Sequence, residues 1–184
     1  CLRTTWPIDA SLPKLAIIIP ACDSVELTRS CVESLRLTLE YAHATEILIV
    51  DNGSKNQETK DWLHWVDGMD GIRVMLHDKP FNWSEINNLA AGSTDAEYLL
   101  FLNNDTLALD RGWDHILRGY LNRQDVGAVG ARMLFEDGSI QFGGYIVNDN
   151  NIALKEAYGE NPSLGGYNKR SQLTHRCSAL IGAF

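Results

Sequence analysis

An α/β domain built on a mostly parallel sheet, with helices on its faces and an antiparallel hairpin added late, is the fold class this sequence predicts. Three observations predict it. Apolar runs of strand length at 15–20, 46–50, 72–76 and 98–102 alternate with segments whose apolar residues recur at helical spacing. Each run ends in polar or turn-forming residues. Further along, Glu136-Asp137-Gly138 separates two more β-prone stretches, and Asp-Gly is a strong hairpin signal. Strands that alternate with helices connect by right-handed crossovers and so pair mostly in parallel.

Residues 1–13 hold two prolines and little periodicity, which predicts a leader or linker ahead of a domain spanning 14–184. Leu15–Pro20 reads as a buried strand ended by a proline that cannot donate to a ladder. Asp23 and Glu26 have the spacing of a capping box. Behind them Thr28, Cys31, Val32, Leu35 and Leu39 carry a helix to about Tyr41. Glu46–Val50 is the second buried strand, with Asp51-Asn52-Gly53-Ser54 at its carboxyl end. Ser54 and Gln57 repeat the capping-box spacing before Trp62, Leu63 and Val66. Ile72–Leu76 is strand three, Ser84–Ala91 a short helix, and Tyr98–Leu102 strand four, whose unbroken apolar run suits burial on both faces. Asp110 is expected to cap a helix with Trp113, Ile116, Leu117 and Tyr120 on its inner stripe. Val126–Phe135 and Ser139–Val147 are the arms of the hairpin, added to the parallel sheet. Asn148–Arg170 is rich in Asn and Gly, shows no clean period, and is predicted to be a long loop.

At 184 residues the chain fits one domain with a proper core, and its 45% hydrophobic and 22% charged content is ordinary for a globular protein. The net charge of −8 argues against a nucleic-acid partner, which would need a basic face. An anionic ligand would need a metal ion or helix N-termini to offset its charge. Cys1, Cys22, Cys31 and Cys177 form no Cys-x-x-Cys pair and read as reduced thiols of a cytoplasmic protein. No apolar run approaches the ~20 residues of a membrane span. The start at Cys1 and the apolar ending at 178–184 suggest an excerpt from a longer protein. The Gly-rich dinucleotide and P-loop motifs are absent, as is the Gly-x-Ser-x-Gly elbow. His43, His64, His77, His115 and His175 show no metal-ligand spacing.

What remains is a set of polar residues at the carboxyl ends of strands one, two and four: Ala21–Asp23, Asp51 and Asn103–Asp105. Ligands of open α/β sheets bind in the crevice beyond those ends. Taken singly, Asp51 and the Asn-Asn-Asp run are also good turn chemistry. Two acids at matched strand ends favour a site, one suited to a nucleoside diphosphate bridged by a metal ion.

The residues also carry a resemblance. Ile-Ile-Ile-Pro at 17–20, Ile-Val-Asp-Asn-Gly-Ser at 49–54, Pro-Phe-Asn-Trp-Ser-Glu-Ile-Asn-Asn at 80–88 and Phe-Leu-Asn-Asn-Asp-Thr at 101–106 resemble the inverting nucleotide-sugar glycosyltransferases of family 2. Those enzymes have the GT-A fold, a Rossmann-like sheet. The run from Val126 to Gln141 is similar to the rhamnosyltransferase-like branch, which builds bacterial surface polysaccharides. The resemblance implies that Pro20 and Ala21 line the base and ribose pocket and that Asp51 bonds a uracil or thymine ring. It implies that Asp105, matching the last acid of the family's Asp-x-Asp motif, holds Mn²⁺ or Mg²⁺ on the diphosphate. Asp23, Asn88, Asn103 and Asn104 are the other positions it assigns to the nucleotide. Three departures stand out: Asn103 replaces the first acid of that motif, Ala21-Cys22-Asp23 replaces Thr-Tyr-Asn, and Gln141-Phe142-Gly143-Gly144 replaces Gln-His-Ala-Gly.

The implied reaction is one in-line displacement at the anomeric carbon, from a UDP- or dTDP-linked sugar to a saccharide or lipid-linked saccharide. The implied base lies beyond residue 184, so no catalytic residue is named; Glu136 and Asp137 are better explained by the turn. Any peripheral membrane association is expected to reside in regions outside these residues. Two other readings stay open: a non-catalytic nucleotide-sugar or carbohydrate-binding module that keeps the fold, and a sugar-nucleotidyltransferase. The latter would want a Gly-rich basic loop where Ala21-Cys22-Asp23-Ser24 stands.

Overall fold

The structure is a computed structural model that describes residues 6–8, 10–150 and 152–182. They fall into two compact units, one reaching to Gly127 and the other spanning Ala128–Gly182. The first unit contains β1 (Leu15–Ala21), α1 (Val25–Thr38), β2 (Thr45–Asp51), α2 (Gln57–Val66), β3 (Ile72–Leu76), α3 (Trp83–Ala91), β4 (Tyr98–Phe101) and α4 (Trp113–Leu121). The second contains β5 (Met133–Leu134), β6 (Ile140–Phe142), β7 (Tyr145–Val147), β8 (Ala153–Lys155) and two 3₁₀ turns, Pro162–Leu164 and Tyr167–Gln172.

The first unit is the expected parallel sheet, in the order β3-β2-β1-β4. Alternation along the strands divides its core. Ala16, Ile18, Leu48 and Val50 pack with Ile86 and Ala90 of α3 on one face. Ile17, Ile19, Ile47 and Ile49 point to the other, where the inner stripes of α1 (Cys31, Val32, Leu35) and α2 (Trp62, Leu63, Val66) are buried. Each such side chain taken from water contributes ~1.5–3 kcal/mol. That two-sided burial is why the first two strands read as continuous apolar runs.

Strand four departs from expectation. It is an edge strand, and Leu99 remains 39% exposed. Pro20 helps explain where its pairing stops. The Leu102 amide donates to the Ile18 carbonyl, and Pro20, two residues on, offers no donor to that side. The chain therefore leaves the sheet at Asn103.

None of the three predicted caps forms. Ser24 is the N-cap of α1 but makes no capping bond, its hydroxyl donating instead to the Cys22 carbonyl, while the Asp23 side chain is used elsewhere. Asn56 caps α2 by accepting from Thr59 N, which frees Ser54 for the strand-end network. Helix α4 begins after Gly112 (φ +77°), whose amide donates to the Thr38 carbonyl. Helix α1 stops at Thr38, and the Glu40 and Tyr41 amides turn to the fully buried Asp114.

Residues ahead of β1 lie along α4, where Arg123 stacks on Trp6, Asn122 donates to the Pro7 carbonyl and Arg118 to that of Pro13. Cys1 lies outside the described residues.

In the second unit the Asp-Gly hairpin forms, with shorter arms than expected and as its own two-stranded ladder, β5-β6. Asp137 accepts from Ser139 N and Oγ in the turn, bonds that hold its carboxyl below the usual range. The predicted loop at 148–170 is partly built. Its Ala153–Lys155 pairs with β7, and the 3₁₀ turns follow. Glu156 anchors it, accepting from Arg170 and His175. Burial pushes the Glu156 carboxyl up, but those two hydrogen bonds outweigh it and hold the group below its ordinary value. Among the described residues no helix is long and apolar enough to cross a membrane.

Candidate functional site

All four strands of the first unit are parallel, so their carboxyl ends share one edge. Register places Ala21 opposite Asp51 and Asp51 opposite Leu76. The Asp51-Asn52-Gly53-Ser54 turn ties the strand ends together. Towards β1, Asn52 N donates to the Ala21 carbonyl. Towards β3, His77 N donates to the Asp51 carbonyl, and Asn52 Nδ2 donates to the carbonyls of His77 and Lys79. Gly53 sits at φ +70°, where a Cβ would come within 2.6 Å of Asp78 Oδ1, so only glycine closes this turn without strain.

Asp51 is 7% exposed. Its Oδ1 accepts twice from Ser54, from the amide at 3.0 Å and from Oγ at 2.5 Å. Ser54 Oγ in turn accepts from Asp23 N. Asp23 itself holds an unusual left-handed φ of 49° and accepts at Oδ1 from the amides of Lys55 and Asn56, at 2.6 and 2.7 Å. The anion at the amides ahead of α2 is thus supplied by the protein itself, so the Lys55 and Asn56 amides are not open to an external anion. Beside Asp51, a groove of about 250 Å³ opens between α2 and β3, lined by Lys60, Leu63, His64, Asp67, Val74 and Leu76.

On the other side of β1 come Asn103, Asn104 and Asp105. Asn104 donates to Thr28 Oγ1, and Cys31 Sγ lies 3.8 Å from the Asn103 carbonyl. Burial, and then the nearby Asp105 carboxylate, push the Cys31 thiol up to about 12. Asn103 and Asp105 are exposed, and no described group donates to the Asp105 carboxylate. No group of three or more His, Cys, Asp or Glu placed to hold a metal ion together occurs among the described residues. One free carboxylate with amide oxygens beside it still fits a hard cation such as Mn²⁺ or Mg²⁺, which takes most of its ligands from water and phosphate.

The structure thus joins Ala21, Asp23 and Asp51 in one hydrogen-bonded network, with Pro20 in the strand beneath and Asn103–Asp105 along the same edge. Asn88 is exposed on α3, while its neighbour Asn87 is buried and donates to the Trp83 carbonyl. Ser54, Asn52 and His77 escaped sequence reasoning as members of this edge. The Asp-Asn-Gly-Ser turn signalled the first two, and His77 follows a strand end. Cys22 is exposed here; burial, Asp23 and Asp51 raise its thiol above the ordinary range.

A parallel sheet ordered in this way, with helices on its faces and acid and amide side chains at its carboxyl edge, defines an α/β domain of the GT-A type. A mannosyltransferase of Pyrobaculum calidifontis, solved in complex with GDP-Man and Mn²⁺, superposes with a TM-score of 0.58 at 15% identity, over 68% of this chain and 38% of that one. The chain belongs to Glycosyl transferase family 2, whose profile matches residues 16–178. It is 40% identical over 146 residues to the O-antigen biosynthesis protein RfbC of Myxococcus xanthus, covering 79% of this chain. It is also 31% identical over 182 residues to protein y4gI of Sinorhizobium fredii, covering 98%. The chain spans 11% and 20% of the lengths of these two relatives.

Proposed function

We propose that this domain holds the donor of a glycosyl transfer: a sugar linked to UDP or dTDP, gripped at the carboxyl edge of the sheet. Pro20 and Ala21 line the base and ribose pocket. Asp51 accepts from the ring N–H of uracil or thymine. Asp105, with Asn103 and Asn104 beside it, holds Mn²⁺ or Mg²⁺; when bound, the metal supplies the positive charge that the diphosphate and its departure require. The sugar passes with inversion to a saccharide or lipid-linked saccharide, in cell-surface polysaccharide synthesis on the cytoplasmic side. The O-antigen biosynthesis relative supports the polysaccharide part of that setting. No residue within 1–184 is assigned as the base that takes the acceptor's proton.

One observation carries the reading. In a family 2 chain, the fold sets Ala21, Asp51 and Asn103–Asp105 along one sheet edge, and Asp105 is left exposed without a hydrogen-bond donor among the described residues. Asp105→Ala should abolish the Mn²⁺-dependent part of UDP or dTDP affinity and leave the melting temperature unchanged. Equal affinity in mutant and wild type, by calorimetry, would refute the assignment.

A further inference from the structure

Resting on that donor-binding reading, we infer that Ser54 is a positioning residue, anchored by Asp23, that leaves Asp51 a single accepting oxygen and so sets which nucleobase the domain selects. A carboxylate can accept at both oxygens. In this turn the Ser54 amide and hydroxyl fill Asp51 Oδ1, and Asp51 is 93% buried, so the carboxylate cannot turn freely to offer both. No described group donates to Oδ2. The hydroxyl is itself fixed, because Ser54 Oγ accepts from Asp23 N, and the Asp23 carboxylate pins the next two amides of the loop. These three side chains span 31 residues of sequence and join the ends of β1 and β2.

One free oxygen suits one donor. Uracil and thymine present a single ring N–H between two carbonyls. Guanine presents a ring N–H and an adjacent amino group, a pair that asks for both carboxylate oxygens. Cytosine presents an acceptor at the corresponding ring nitrogen. With Oδ1 occupied, guanine leaves one donor unpaired and cytosine meets a carboxylate lone pair. An unmade hydrogen bond to a charged group corresponds to about tenfold or more in affinity. Selection for uridine and thymidine diphosphates therefore follows from Ser54 as much as from Asp51.

Calorimetric titration with UDP, GDP and CDP in excess Mn²⁺ tests this on wild type, Ser54→Ala and Ser54→Thr. Wild type should prefer UDP over GDP and CDP by about tenfold or more. Ser54→Ala frees the hydroxyl's place at Oδ1 and should bring the UDP-to-GDP ratio towards one, while Ser54→Thr keeps the hydroxyl and the wild-type ratio. A general loosening of the loop would weaken all three nucleotides alike and leave the ratio unmoved. If wild type binds the three equally, base reading by Asp51 falls and this inference with it. If wild type discriminates and Ser54→Ala keeps the same ratio, only the inference is overturned. Should Ser54→Ala not fold, Asp23→Ala releases the loop amides and should lower the ratio; an unchanged ratio in that protein refutes the positioning role.

Discussion

Asp114→Ala separates the stability of the sheet from the chemistry at its far edge. Asp114 lies in the first turn of α4 and is fully buried. It accepts from Glu40 N at 2.9 Å and Tyr41 N at 3.0 Å, the amides that follow the end of α1. Removing it orphans both amides, at ~1–3 kcal/mol each. It also strips Arg118, 1% exposed, of a nearby negative charge. That guanidinium donates to Ala44 and Thr45 at the start of β2, where burial pulls its pKa down and Asp114 supports it. Breaking such a buried arrangement costs about 3–5 kcal/mol. The urea midpoint should fall accordingly at an unchanged slope, and melting should drop by about 10 °C or more. Asp114 and Arg118 bond residues at the amino ends of the strands, so a folded Asp114→Asn protein should bind nucleotide as wild type does. A loss below ~1 kcal/mol in Asp114→Ala would show that the α1–α4 junction is not held as described.

Gly53→Ala should cost about 1–2 kcal/mol, because φ +70° disfavours a side chain and its Cβ would meet Asp78. It should also weaken UDP by displacing Ser54; urea melts and titration check both. For Cys31, the sign runs against alkali. The unfolded thiol ionises near 9.0 and the folded one at about 12, so stability present below pH 9 is withdrawn as pH rises towards 12, by up to about 4 kcal/mol. Cys31→Val should lack that component, and equal alkaline losses in the two proteins would contradict the burial described for Cys31.

Much of the fold was legible because β1 and β2 are buried on both faces, and α1 and α2 present one apolar stripe each. The boundaries of β3 matched, and Asp-Gly marked the β5-β6 turn. Strand β4 misled, since an apolar run does not say whether a further strand will cover it. The caps misled for a related reason. Asp23 and Ser54 have the right local spacing, but tertiary structure recruits them to each other across 31 residues. In the same way nothing local links Glu156 to His175, 19 residues on, so a partly built segment read as a loop. For the site, positions at strand ends were readable from topology alone. The network that orients Asp51 was not, because it depends on the register of β1 against β2.

The most direct test of the account is a thermal-shift panel of nucleoside diphosphates on the intact chain, each with and without Mn²⁺. A ligand that binds only the folded state at a hundredfold over its dissociation constant adds ~2.7 kcal/mol. The account predicts that UDP or dTDP with Mn²⁺ raises the melting temperature by several degrees, and that neither nucleotide nor metal alone does so comparably. A melting temperature unmoved by any nucleotide, with or without Mn²⁺, would contradict donor binding and favour a module that keeps the fold without the function.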